Sequence, residues 1–179
     1  MKKHGTILLV VLAALALGGC NLYNGLVDKS EGVDKAWSDI NAMLLRRADL
    51  VPNLVNAVKG YASHEKEIFE NVAEARSKLL GAKTPAEAAE ADAALSGVLG
   101  RLLAIAEAYP ELKANENFLK FQDELAGTEN RIAVARTDYN ASIRRLPASL
   151  IAGPLGFGKK DYFEPPAGSA VQVAPTVAF

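Results

Sequence analysis

Residues 84–110, TPAEAAEADAALSGVLGRLLAIAEAYP, carry a full set of helix signals. Thr84 is a capping residue, Pro85 suits the first turn, and Glu87 stands where a capping box requires an acidic side chain. An apolar stripe with helical spacing follows, formed by Leu95, Val98, Leu102, Ile105 and Tyr109. Pro110 then ends the pattern, because proline disrupts a helix interior. The stretch therefore predicts an amphipathic helix that buries one face against other helices.

The same helical period continues on the N-terminal side. A first stripe consists of Val33, Trp37, Ile40 and Leu44, and a second runs from Val55 to Leu79, with Gly81 as its expected C-cap. The turn signal Asp49-Leu50-Val51-Pro52 lies between them and predicts a break at Pro52. One long helix kinked at Pro52 satisfies the same spacing. We prefer the break, because it gives segments of similar length that can fold back on one another.

A last helix is expected after a short turn at residues 111–114. Asn115 is its expected N-cap, and Pro147 ends it. Its apolar stripe consists of Phe118, Phe121, Leu125, Ile132, Tyr139, Ile143 and Leu146. Four helices of comparable length joined by short turns predict an all-α fold, an antiparallel up-and-down four-helix bundle over residues 31–147.

The N-terminus has the pattern of an export signal. Lys2 and Lys3 precede an apolar run, and Leu17-Gly18-Gly19-Cys20 follows it. This order predicts a lipoprotein-type signal peptide over residues 1–19, with Cys20 as the lipid-accepting residue. An uncleaved transmembrane anchor is the alternative, although the run is short of the roughly twenty apolar residues that a spanning helix needs. Either alternative tethers the chain to a membrane through residues 20–30 and places the bundle outside the cytoplasm.

The C-terminal part changes character after the bundle. Residues 148–164 contain glycine and proline together with large apolar side chains such as Tyr162 and Phe163. They are expected to dock against one end of the bundle. Residues 165–179 are expected to form a flexible tail, whose end, Val177-Ala178-Phe179, is a candidate docking peptide.

Composition and motifs argue against several classes of function. Removal of the signal takes two of the 20 basic side chains and none of the 21 acidic ones, so no basic excess favours nucleic acid as a partner. Cys20 is the one cysteine of the chain, so no intrachain disulfide forms. His64-Glu65 begins like a zinc-protease motif, but isoleucine stands at position 68 where the second histidine is needed. We therefore expect no enzyme activity, metal or cofactor.

Polar side chains that interrupt the apolar stripes are the candidate site residues. They are Arg46, Arg47, Asp49, Asn53, Asn117, Glu129, Asn130 and Arg136. Arg47 is expected to reach a carboxylate on a neighbouring helix, within a buried polar network that sets the register of the bundle. The alternative is a small-ligand groove lined by Arg47, Asp49, Asn53 and Asn117.

Several blocks closely resemble the LemA family of bacterial membrane-associated proteins. They are the run from Ala36 to Ile40, Leu45-Arg46-Arg47-Ala48-Asp49-Leu50-Val51-Pro52-Asn53-Leu54-Val55, the run from Val58 to Glu65, the run from Leu103 to Phe118, and Glu129-Asn130-Arg131-Ile132-Ala133-Val134-Ala135-Arg136 with Tyr139-Asn140. One departure lies near the end of the last helix. Family members usually carry a second Tyr-Asn pair about a heptad after the one that corresponds to Tyr139-Asn140. The last helix of this chain is therefore expected to be about two turns shorter than theirs.

The resemblance implies a helical bundle tethered to a membrane by its N-terminus, with no established catalytic activity. It also implies an interaction or adaptor role beside other envelope proteins. We therefore expect a membrane-tethered, non-catalytic adaptor with an unidentified envelope protein as its partner. A small-ligand binding protein is the alternative.

Overall fold

A computed structural model describes residues 2–62, 64–146 and 160–164, and of residues 2–18, 20 and 22 it describes the backbone alone. Over this part of the chain the secondary structure is helical, without strands. The helices are α1 (Lys2–Lys59), α2 (Lys66–Gly81), α3 (Pro85–Ala106), α4 (Pro110–Lys113) and α5 (Glu116–Arg145). The predicted all-α class is confirmed, and the expected turn at residues 111–114 contains the single-turn helix α4.

Two of the predicted helix starts are confirmed by their capping bonds. At α3, the Thr84 hydroxyl accepts from the Glu87 amide at 3.2 Å, while the Glu87 carboxylate accepts from the Thr84 amide at 3.2 Å. At α5, the Asn115 side-chain oxygen accepts from the amides of Asn117 and Phe118 at 3.0 and 3.2 Å. Both caps satisfy amides that a helix start leaves without an intrahelical partner.

The predicted break at Pro52 is wrong, because α1 continues through this residue to Lys59. Proline has no amide hydrogen, so the carbonyl of Ala48, four residues earlier, loses its usual helical partner. Arg76 of α2 supplies the missing donor, since its Nε lies 2.7 Å from the Ala48 carbonyl oxygen. The chain turns at residues 60, 61 and 64 instead, and α2 begins at Lys66. The alternative of one long helix through Pro52 is therefore the correct one.

Four long helices, α1, α2, α3 and α5, form an antiparallel bundle. α1 packs along α5, and α2 packs along α3. The two ends of the α1–α5 pair fix its antiparallel direction: Asn115 donates to the Tyr61 hydroxyl at one end, and the Trp37 and Tyr139 rings lie 6.0 Å apart at the other. The α1 side chains in the shared core are Val33, Ile40, Leu44, Ala48, Val51, Leu54 and Val58. This stripe is the predicted apolar face, extended across Pro52.

The N-terminal part of α1 carries the predicted anchor. Its backbone is helical from Lys2 through Cys20 and residues 20–30 into the bundle. The side chains of residues 2–18 and of Cys20 lie outside the described part of the chain, so lipidation at Cys20 stays a prediction. In the part that was described, no helix combines the length and the apolar content that crossing a bilayer requires.

Candidate functional site

A buried arginine cluster connects three helices of the bundle. Arg47 on α1 is only 3 % exposed, and its guanidinium lies 2.7 Å from the Asp92 carboxylate on α3. It also donates to the Ser96 hydroxyl at 3.0 Å and contacts the Glu129 carboxylate on α5 at 3.5 Å. Because both carboxylates meet one guanidinium, α3 and α5 are both held in register against α1. We expect the cluster to fix which helix faces meet, a role for which buried polar groups are suited.

The electrostatics of the cluster are dominated by burial. Desolvation raises the pKa of Asp92 above its ordinary value near 3.8, although the neighbouring Arg47 opposes this shift. The Glu129 carboxylate raises the pKa of Asp92 further, and Arg136 lowers it. Arg47 Nε is buried and has no hydrogen-bond partner. The two terminal nitrogens of Arg47 bond to side chains of the protein itself. This arrangement suits a structural ion pair better than a ligand site.

A pH prediction follows from the raised pKa of Asp92. A group that binds its proton more tightly in the folded state contributes stability below its unfolded pKa and loses it as pH rises through its folded pKa. We therefore expect Asp92→Asn to gain stability relative to wild type as pH rises from about 3.8 through the folded pKa of Asp92. Urea unfolding of both proteins between about pH 3.5 and 7 checks this. A difference between them that is constant with pH would contradict it.

Apart from Glu129, and from Arg136, whose charge acts on Asp92, the predicted site residues are not gathered around Arg47. Asp49 is exposed and lies 3.8 Å from Arg76 of α2, while Asn117 lies in the first turn of α5. Arg136 is half-buried, and the remaining members are exposed: Arg46, Asn53 and Asn130. The proposed groove of Arg47, Asp49, Asn53 and Asn117 is therefore not assembled, because Arg47 points into the bundle and the other three lie on its surface.

Asp92 and Ser96, the two α3 partners of Arg47, were not predicted from the sequence. A signal for Asp92 was present, since it stands three residues before Leu95 and so lies on the apolar stripe of α3. A carboxylate on a buried stripe requires a partner, and a buried arginine is the strongest one available.

A second cluster holds residues 160–164, hereafter the docked segment, against α1 and α5. Asn140 donates to the Phe163 carbonyl at 3.2 Å and accepts from the Phe163 amide at 3.0 Å. The Tyr139 hydroxyl donates to the Asp161 carbonyl at 2.8 Å, and Lys160 contacts the Asp34 carboxylate at 2.6 Å. Burial raises the pKa of Tyr139 to about 12, so this hydroxyl keeps its proton. Residues 148–159 of the predicted docking region and the predicted tail, 165–179, lie outside the described residues.

A surface groove of about 390 Å³ lies between α1 and α5. Its lining comes from these two helices alone: Ala36, Asp39, Met43, Asn130, Arg131, Val134, Ala135 and Asp138. Val134 is 63 % exposed, an unusually open position for a large aliphatic side chain. Four of these lining side chains are apolar, and three are charged: Asp39, Arg131 and Asp138, hereafter called the rim. Apolar side chains with charged neighbours are found where helices bind helices.

Residues with metal-ligand chemistry do not converge anywhere in the described part of the chain. Within these described residues, no group of three or more histidine, cysteine, aspartate or glutamate side chains could hold a metal ion. His64 lies exposed in the turn between α1 and α2. The geometry around it therefore adds nothing to the incomplete zinc-protease pattern of the sequence.

Alignments with known proteins of similar sequence cover most of the chain. Magnetosome protein MamQ 2 of Paramagnetospirillum magneticum is 29% identical, in an alignment that covers 96% of this chain and 76% of the relative. Magnetosome protein MamQ of Magnetospirillum gryphiswaldense is also 29% identical, over 87% of this chain and 70% of the relative. Protein LemA of Metamycoplasma hominis is 27% identical, over 65% of this chain and 54% of the relative.

The family match includes the buried arginine cluster, the groove and the second cluster except for Asp34, which lies two residues before the matched range. Residues 36–179 match the family model described as LemA family. This range contains Arg47, Asp92 and Glu129 of the buried cluster, and it contains Asn140 together with the docked segment. Since the match covers far more than half of the sequence, the chain belongs to the LemA family.

Proposed function

We propose that this protein is a membrane-tethered, non-catalytic adaptor whose α1–α5 groove binds an amphipathic helix of an envelope protein. The observation that carries the proposal is the groove itself, whose apolar lining includes the exposed side chain of Val134. A helix laid into such a groove buries its apolar side chains at i, i+3, i+4 and i+7. Burial of apolar area contributes roughly 25 cal/mol for each Å².

The rim of the groove selects the charge of the partner. Asp39 and Asp138 line it, against one basic residue, Arg131. A partner helix with lysine or arginine beside its apolar stripe complements the two carboxylates, whereas an acidic helix places like charges together. Complementary rim charges raise association rates and exclude wrong partners more than they add affinity. The partner expected here is therefore an amphipathic helix with basic flanks.

The tether sets where this binding takes place. Membership of the LemA family and similarity to proteins named as magnetosome proteins support a membrane-associated role. The pattern around Cys20 supports lipid attachment, with the bundle on the outer side of the membrane. A tethered adaptor meets membrane partners at a raised local concentration, so a groove of moderate affinity suffices.

In-cell photo-crosslinking tests the proposal. A benzophenone amino acid at Asn130, which lines the groove, is expected to capture one envelope protein. The same probe at Leu80, an exposed side chain on α2, is the matched control and is expected to capture none. Cys20→Ala is expected to reduce the capture by releasing the bundle from the membrane. Equal capture from positions 130 and 80 would sink the proposal.

Val134→Asp is expected to abolish this capture without unfolding the bundle. The side chain is 63 % exposed, so the free energy of unfolding should change by no more than about 0.5 kcal/mol. A third carboxylate in the lining of the groove, which the partner helix would bury, should lower the crosslinking yield from position 130 about tenfold, since a buried unpaired charge is costly. Leu119→Asp, also exposed on α5 but outside the groove, is the control. Equal yields from the two variants would show that the groove is not the binding surface.

A further inference from the structure

The docked segment is held in the manner of a bound peptide. Its main recognition contacts fall on backbone atoms, because Asn140 bonds both the amide and the carbonyl of Phe163, and Tyr139 bonds the carbonyl of Asp161. The segment has neither helical nor strand structure of its own. Contacts to the backbone of an extended chain give affinity for any sequence, and side-chain pockets give specificity.

Two side chains of the docked segment supply that specificity. Phe163 is 2 % exposed and packs beside Trp37, with ring centroids 6.4 Å apart. Lys160, three residues earlier, contacts the Asp34 carboxylate on α1. Asp161 contributes its carbonyl to the hydrogen bonds, and Tyr162 and Glu164 are exposed. The recognised pattern is therefore a lysine three positions before a phenylalanine in a segment without helical or strand structure.

The receiving surface is built into the helices. Asn140 is 7 % exposed although its side chain is polar, and its amide is satisfied by the docked segment. Without the segment, the amide oxygen and nitrogen of Asn140 would lose these partners, at a cost of roughly 1–3 kcal/mol for a group that stays buried. Trp37 on α1 and Tyr139, next to Asn140 on α5, form a tilted aromatic pair. The free energy of the protein is therefore lower when a peptide segment occupies this site.

We propose that Asp34, Trp37, Tyr139 and Asn140 form a peptide-binding site for Lys-x-x-Phe segments, with the docked segment as its intramolecular ligand. The docked segment and an external peptide compete for one site. An intramolecular ligand on a short connection acts at an effective concentration on the order of millimolar. External peptides therefore bind weakly until the docked segment is released. The site is separate from the α1–α5 groove and does not depend on the adaptor proposal.

Trp37 offers a direct readout, because it is the one tryptophan of the chain. The full chain in detergent micelles is titrated with an end-blocked peptide of residues 160–164, Lys-Asp-Tyr-Phe-Glu, and tryptophan emission is excited at wavelengths that the peptide does not absorb. Phe163→Ala removes the one buried side chain of the docked segment and is expected to release it, while every residue of the receiving surface is kept. Tyr162→Ala removes an exposed neighbouring ring and is the matched control.

The expected result is a saturable change in Trp37 emission for Phe163→Ala, toward the wild-type spectrum. Wild type and Tyr162→Ala should need at least about tenfold more peptide, since the docked segment competes. Adding Asn140→Ala to Phe163→Ala should weaken binding about tenfold, through loss of two hydrogen bonds. Phe163→Leu replaces Phe163→Ala if the latter loses its helical circular dichroism. The proposal is overturned if the folded Phe163 variant shows no saturable change in Trp37 emission. It is also overturned if adding Asn140→Ala leaves the peptide affinity unchanged.

Discussion

Arg47→Ala is expected to lower the free energy of unfolding by about 3–5 kcal/mol, the largest effect of any single change considered for this bundle. The substitution leaves the Asp92 carboxylate, which is 14 % exposed, without the guanidinium 2.7 Å away. Glu129 loses its contact as well, but it is 54 % exposed and water can replace the lost partner. The cost therefore comes mainly from the stranded charge of Asp92.

Arg46→Ala is the matched control, because Arg46 is exposed on the preceding position of the same helix. It is expected to change the free energy of unfolding by no more than about 0.5 kcal/mol. The double variant Arg47→Met/Asp92→Leu should recover most of the loss, since apolar replacement of a buried pair is often neutral or stabilising. Urea unfolding measures all three. An Arg47→Ala protein as stable as Arg46→Ala would refute the structural role of the cluster.

Arg76→Ala is expected to destabilise the bundle by about 1–3 kcal/mol, and this loss should shrink in a Pro52→Ala background. In wild type, Arg76 supplies the donor that Pro52 lacks, at 2.7 Å from the Ala48 carbonyl. Removing it leaves a carbonyl inside the helix without its partner. Alanine at position 52 restores the amide donor, so the same carbonyl is satisfied without Arg76.

A double-mutant cycle of denaturant unfolding measures this coupling. Pro52→Ala alone should stabilise the protein by up to about 3 kcal/mol, because Pro52 is exposed and its main cost is to the helix. Lys78→Ala on the same helix serves as a control, since Lys78 is 64 % exposed and its ion pair is with Glu74 of its own helix. Equal Arg76→Ala losses in the two backgrounds would show that Arg76 does not compensate for the proline.

The features that could be predicted from the sequence are those with local causes. The starts of α3 and α5 depend on Thr84 and Asn115, each with its capping partners within three residues. The apolar stripes likewise follow from the helical period alone. The break predicted at Pro52 was wrong because the donor that replaces the missing proline amide is not local. This donor is Arg76 on another helix, and the helical period of α1 gives no sign of it.

The candidate site follows the same division. Arg47 was identified as a buried cation because it interrupts an apolar stripe, and Glu129 was among the carboxylates considered. Asp92 was missed, since pairing it with Arg47 requires knowing that α3 faces α1 at this level. Tyr139-Asn140 was recognised as a family motif. Its partners, Asp161 and Phe163, lie in the docked segment, which has no helical or strand periodicity from which the contact could be predicted. The groove was not predicted, because the relative rotation of α1 and α5 creates it.

The identity of the partner segment tests the central claim, that the α1–α5 groove holds an amphipathic helix of an envelope protein. The measurement is mass-spectrometric sequencing of the peptide crosslinked to a probe at position 130 in cells. The account predicts a segment with apolar residues at helical spacing and lysine or arginine beside them, facing Asp39 and Asp138. A crosslinked peptide that is acidic, or that has no helical apolar period, would contradict it.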